Sequence, residues 1–178
     1  MASGKGAVKS AGFFVLLSVC CWANTAFAEN PIAKRSAVES LIRDQLNAWS
    51  LEDEQLFLST VHPEIVFAYP GARLDKAGAL RLFRYWSDNY SETRVYFHNI
   101  VIEGNLFSVE YQFATTRDRD GARSASGTLT TGQVKDGKLI LWKEYLDGRV
   151  SKLQMEGDLP VDEGKTPFPW PPEPKRKP

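Results

Sequence analysis

The chain has 178 residues, 22 of them basic and 22 acidic, with five Trp, six Tyr and ten Phe. That length supports one domain with a single hydrophobic core, and the balanced charge offers nothing to attract nucleic acid or an anionic membrane. Both cysteines, Cys20 and Cys21, fall in a segment expected to be removed, so no disulfide staples the mature protein.

Lys5 and Lys9, with no acid among them, precede an apolar run from Ala11 through Ala23, and Ala26 and Ala28 supply small residues ahead of a cut. This is the three-part pattern of a signal peptide over residues 1–28, which predicts export to the periplasm or beyond. The run of about 13 residues is too short to cross a bilayer core, so no stable membrane anchor is expected after cleavage. Removing the leader leaves 20 basic against 22 acidic side chains.

Residues 29–35 read as a linker to a domain over 36–155. Ser36 and Glu39 have the spacing of a capping box, and Val38, Leu41, Ile42, Leu46 and Trp49 recur at helical spacing behind it. Asp53 opens a second short helix that Pro63 stops. Residues 65–69 form a β-rich run closed by Pro70-Gly71, and Asp75 caps a third helix with Ala79, Leu80, Phe83 and Trp86 as its apolar stripe.

From Arg94 the period changes to two. Residues 94–102, 106–116, 124–134 and 138–146 are β-rich runs parted by Gly104-Asn105, Arg117–Gly121 and Asp136-Gly137, which predicts an antiparallel meander. The second run sets Phe107, Val109, Tyr111 and Phe113 on one face. In the last run Leu139, Leu141 and Tyr145 share one face while Ile140, Trp142 and Leu146 share the other, so both faces want cover. Helices can cover one; a second copy packed sheet to sheet, a homodimer, is expected to cover the other. Residues 156–178 hold a Pro-rich tail expected to be disordered, the alternative being that Phe168 and Trp170 dock on the domain or a partner.

The capped helix with Leu46-Asn47-Ala48-Trp49, the strand ending Phe67-Ala68-Tyr69-Pro70-Gly71, and the closing stretch from Asp136 to Asp147 with Trp142-Lys143-Glu144-Tyr145-Leu146 together resemble the SnoaL-like branch of the nuclear transport factor 2-like superfamily. The resemblance implies an α+β fold, helices packed in a strongly curved, mostly antiparallel sheet that forms a cone with an apolar pocket at its open end. It does not imply one function, since the superfamily holds isomerases, cyclases, dehydratases, epoxide hydrolases and binding proteins.

Several of those chemistries lack their residues here. Where a ketosteroid isomerase carries an Asp-Pro base and a helix tyrosine, this chain has Tyr69-Pro70 and Ile42; a phenol is a poor base at neutral pH and Ile42 donates no hydrogen bond. Where a limonene epoxide hydrolase carries Arg-x-Asp, this chain reads Glu110-Tyr111-Gln112-Phe113, although Trp142-Lys143-Glu144 keeps an acid two residues after the tryptophan. His62 and His98 are isolated and the mature chain has no cysteine, so neither a metal nor another cofactor is expected.

Glu144 is the candidate catalytic residue. On one face with Ile140, Trp142 and Leu146 it would sit in apolar surroundings that raise a carboxyl pKa towards proton shuttling; the alternative is a carboxylate held by a structural tyrosine or arginine. Trp49, Phe67, Tyr69, Tyr111 and Trp142 are candidate lining residues for a small apolar or aromatic ligand. Binding without settled catalysis is the first expectation. A general acid/base lyase, isomerase or hydrolase using Glu144 with Tyr69 or Tyr111 is the second, and a non-catalytic structural or assembly module the third.

Overall fold

The computed structural model describes residues 31–165. The expected leader and the tail from Thr166, with Phe168 and Trp170, lie outside the described residues. In chain order the fold runs α1 (Pro31–Leu51), α2 (Glu54–Thr60), β1 (Val61–Tyr69), β2 (Ala72–Leu74), α3 (Lys76–Ser87), β3 (Tyr90–Glu103), β4 (Leu106–Arg117), β5 (Ala122–Lys135), β6 (Lys138–Tyr145) and α4 (Gly148–Met155). The strands form one sheet in the order β2-β1-β6-β5-β4-β3. Only the β1–β6 pair in that sheet is parallel. This is the α+β cone that the sequence suggested.

Local chemistry sets the element ends. Asp53 and Asp75 each accept an amide hydrogen bond from the third residue on, Leu56 at 2.9 Å and Gly78 at 2.8 Å, and so cap α2 and α3. Ser36 caps nothing. The helix already runs from Pro31, a residue suited to a first turn, so part of the expected linker is helical and Glu39 instead holds Arg43 one turn on, at 2.8 Å. Pro63 lies within β1, in the stretch where the β1–β6 register shifts between Val61 and Val66 and a ladder N–H is dispensable. Asp136 and Gly137 both adopt positive φ, 51° and 70°, in the tight β5–β6 turn.

The sheet curls around the helices, and its concave side carries the core. Ile42, Leu46, Phe57, Phe67, Val109 and Trp142 are each at most 2% exposed there. The β4 alternation points Phe107, Val109 and Tyr111 inward as its pattern implies. The expected faces of β6 need a correction. Leu141 pairs with Gln133 and Leu139 with Val134, so Ile140 is an extra residue, and this bulge turns Leu139 into the core along with Trp142. The outer face keeps Val101, Leu106, Leu129 and Tyr145, all exposed.

Residues 156–165, placed in the disordered tail by composition, lie as a strap on the outer face. Gln112 is fully buried beneath it, donating from Nε2 to the Asp162 carbonyl at 3.0 Å and accepting the Gly164 N–H at 2.7 Å. The Glu163 carboxylate accepts two hydrogen bonds from Arg123, at 2.6 and 2.9 Å, and one from the Tyr96 hydroxyl at 2.8 Å. Polar contacts hold Asp162, Glu163 and Gly164 in place.

Candidate functional site

A cavity of about 440 Å³ opens between the concave sheet and the helices. One wall is aromatic: α1 contributes Trp49, β1 contributes Phe67 and Tyr69, α3 contributes Trp86, and Phe113 comes from β4. Trp49 is its hub, 5.0 Å from Phe83 and 6.3 Å from Trp86 between ring centres, and Trp86 stacks on Tyr90 at 4.1 Å. Beside Phe113 the lining turns to hydroxyls. Ser124, Ser126 and Thr128 alternate along the inner face of β5, as a period of two requires, and Thr115 and Ser151 join them.

Glu144 lies on the same cavity wall. It follows Trp142 by two residues on the same face of β6, and the Trp142 indole N–H donates to its Oε1 at 2.8 Å. The Tyr111 hydroxyl, 3.2 Å from Thr130 Oγ1, donates to the same oxygen at 3.3 Å. Among the described residues both hydrogen bonds fall on Oε1, which leaves Oε2 for a guest. Burial pushes the Glu144 carboxyl above its ordinary range, against the opposing pull of the Trp142 and Tyr111 hydrogen bonds. Burial, with the Glu144 charge adding to it, pushes the Tyr111 phenol well above its own, so at neutral pH Tyr111 is a donor and not a base.

The third side of the cavity is α4. Asp147 caps it by accepting the Arg149 N–H at 3.0 Å, and the Arg149 guanidinium beside Asp147 holds that carboxyl down at about 2. Ser151, Lys152 and Met155 face the cavity, and Ser151 Oγ is 2.5 Å from Ser126 Oγ. Beyond Leu129 strand β5 has no β6 beside it. There the Gln154 side chain takes the missing strand's place, accepting the Ala125 N–H at 2.9 Å and donating to the Ala125 carbonyl at 3.2 Å.

The family model described as SnoaL-like domain matches residues 42–142, more than half of the chain. The chain belongs to this SnoaL-like family. Among solved structures, the SnoaL-like domain is similar to an LEH-like epoxide hydrolase of M. tuberculosis, at 19% identity and a TM-score of 0.61, with 69% of this chain and 92% of that one covered. It is equally similar to TsrD from Streptomyces laurentii, at 19% identity and 0.61, covering 70% and 98%. A protein of ketosteroid isomerase-like fold from Catenulispora acidiphila, solved in complex with trimethylamine, matches at 12% identity and 0.60, covering 74% and 97%. At these identities the likeness is one of fold, the nuclear transport factor 2-like cone. No curated protein matches the sequence significantly.

Of the residues singled out in the SnoaL-like sequence, Trp49, Phe67, Tyr69, Tyr111 and Glu144 come together on the cavity wall. Trp142 does not line it; the ring lies in the core, 1% exposed, and reaches the site only through its N–H on Glu144. Ile140 packs elsewhere, in a second groove with Val38 and Leu41 of α1. His98 Nδ1 is 2.8 Å from Glu110 and His62 Nδ1 accepts the Glu64 N–H at 3.1 Å, neither on the cavity. Arg117, the first residue of the stretch that parts the second and third β-rich runs, lies on the cavity lining with its side chain 21% exposed and bound to Asp120. Among the described residues no group of three or more His, Cys, Asp or Glu is placed to hold a metal ion. The hydroxyl wall and α4 went unassigned by sequence, although Ser124, Ser126 and Thr128 alternate visibly.

Proposed function

We propose that the protein is an exported SnoaL-like pocket protein that binds a small apolar or aromatic molecule, oriented by Glu144. The observation that supports it is a cavity of drug-sized volume, aromatic on one wall, with a single carboxylate keeping one oxygen free. Native mass spectrometry of the protein as purified would detect a retained guest. Leu82→Trp, which fills the cavity from α3, should abolish binding of small aromatic compounds in a thermal-shift screen; undiminished binding in that variant sinks the reading.

General acid/base catalysis by Glu144 is the second reading, supported by a carboxyl that burial shifts towards neutrality. Under it Glu144→Gln keeps ligand binding and loses turnover. Export rests on residues 1–28, and N-terminal sequencing of secreted protein should begin at Glu29. Homodimerisation through the outer face is supported by the exposed Val101, Leu106, Leu129 and Tyr145. A monomer mass by light scattering at micromolar concentration refutes it.

A further inference from the structure

The carboxylate of Glu144 lacks a counter-charge. Its donors, the Trp142 indole and the Tyr111 phenol, are both neutral and both spent on Oε1. Two cationic side chains lie on the cavity lining, Arg117 and Lys152, and each is engaged elsewhere. Arg117 grips Asp120 through Nε and Nη2 at 2.9 and 2.7 Å, and Lys152 Nζ is 3.8 Å from Glu156. Among the described residues no Lys, Arg or His pairs with Glu144.

A carboxylate taken out of water without a cation is costly, and a bound guest that displaces the remaining water raises that cost unless it brings the missing charge. The rest of the wall suits such a guest. The rings of Trp49, Tyr69, Trp86 and Tyr90 surround the same space, and aromatic faces attract cations most strongly where water is excluded. A neutral apolar guest would satisfy the rings and leave the carboxylate stranded.

We propose that the guest of this cavity is an organic ammonium ion: an apolar or aromatic body carrying a cationic nitrogen, with the nitrogen against Glu144 Oε2 and the body along the ring wall. The assignment rests on the pocket reading above and adds the charge of the ligand to it. It also gives Glu144 a recognition role that needs no proton transfer.

Phenyltrimethylammonium and tert-butylbenzene share one shape and differ in charge, so they separate the two ideas. Titrated into the full chain and followed by the indole resonances of Trp49 and Trp86, the cation should bind about ten-fold tighter or more, from its close attraction to the carboxylate added to the cation–π attraction of the rings. In Glu144→Gln that preference should fall to about three-fold or less, the remainder from the ring attraction alone, while tert-butylbenzene, no longer stranding a carboxylate, binds more tightly than to wild type. If tert-butylbenzene binds wild type as tightly as the cation, the ammonium assignment is overturned and the pocket reading stands. If neither binds, both are overturned. A full preference for the cation in Glu144→Gln removes Glu144 from its recognition.

Discussion

Trp142 and Glu144 are hydrogen-bonded neighbours on one face of one strand, the indole Nε1 2.8 Å from the carboxylate Oε1. The tryptophan ring is anchored by Phe107 of the core at 5.8 Å and by Phe67, shared between core and cavity wall, at 6.3 Å between centres, so the carboxylate is aimed by packing behind it. The site is built from behind.

Burial holds the Glu144 carboxyl above its ordinary value. Between the ordinary and the raised value the folded protein binds the extra proton, so stability falls as pH rises through that window. Glu144→Gln keeps an acceptor for Trp142 and removes the charge. Its melting temperature should therefore gain on wild type as the pH rises from about 4 towards neutrality. A difference that stays constant over that range contradicts the buried, uncompensated carboxylate.

Gly132 pairs with Phe107 on one side and Trp142 on the other. A Cβ there would run into the Phe107 ring and lie 2.5 Å from the Leu141 carbonyl oxygen. Gly132→Ala should cost about 1–3 kcal/mol in a urea melt, the usual penalty for overpacking. Unchanged stability would mean that Phe107 is free to move away.

Much of this was legible in the sequence. The α1 and α3 stripes, the Asp53 and Asp75 caps and the inward face of β4 follow from spacing alone, because each packs one apolar face against one core. The β6 faces did not, since a single bulge at Ile140 reverses the parity on which such a reading depends. Helix α4 and the strap escaped for a different reason. Their attachment runs through Gln154, Glu163 and Gln112, polar residues whose partners are far away in sequence. In the site, Trp86 and Phe113 stood in apolar stripes that a core explains as well as a pocket does, and the small hydroxyls of β5 carry no pattern that separates a cavity wall from any other strand face.

Gln154 makes three hydrogen bonds, two to Ala125 and one to the Pro160 carbonyl at 3.1 Å. Gln154→Ala leaves the buried Ala125 amide unmatched and should cost about 1–3 kcal/mol. Hydrogen exchange at Ala125 should accelerate and small ligands should leave the cavity faster, because Ser151 and Met155 are carried by the same helix. Wild-type exchange in the variant would show that α4 is held by other contacts.

The Arg123 guanidinium, ahead of the Tyr96 hydroxyl, holds the Glu163 carboxyl below its usual range. A lowered carboxyl contributes stability that is present above its ordinary value and is lost as pH falls through the lowered one. The Gly164 amide, bonded to Gln112, reports on the strap. Its protection factor should drop below about pH 4 in wild type, and in Glu163→Gln it should be low at neutral pH already. Equal protection in the two proteins at pH 7 would show that Glu163 does not fasten the strap.

The side chain of Gln154 stands where a peptide group would be. A strand abandoned by its neighbour presents a row of open donors and acceptors, a template on which a foreign chain can add and from which aggregates grow. One amide fills that row at Ala125, between the cavity-lining Ser124 and Ser126. A side chain of the same molecule therefore denies that stretch of edge to another protein's backbone.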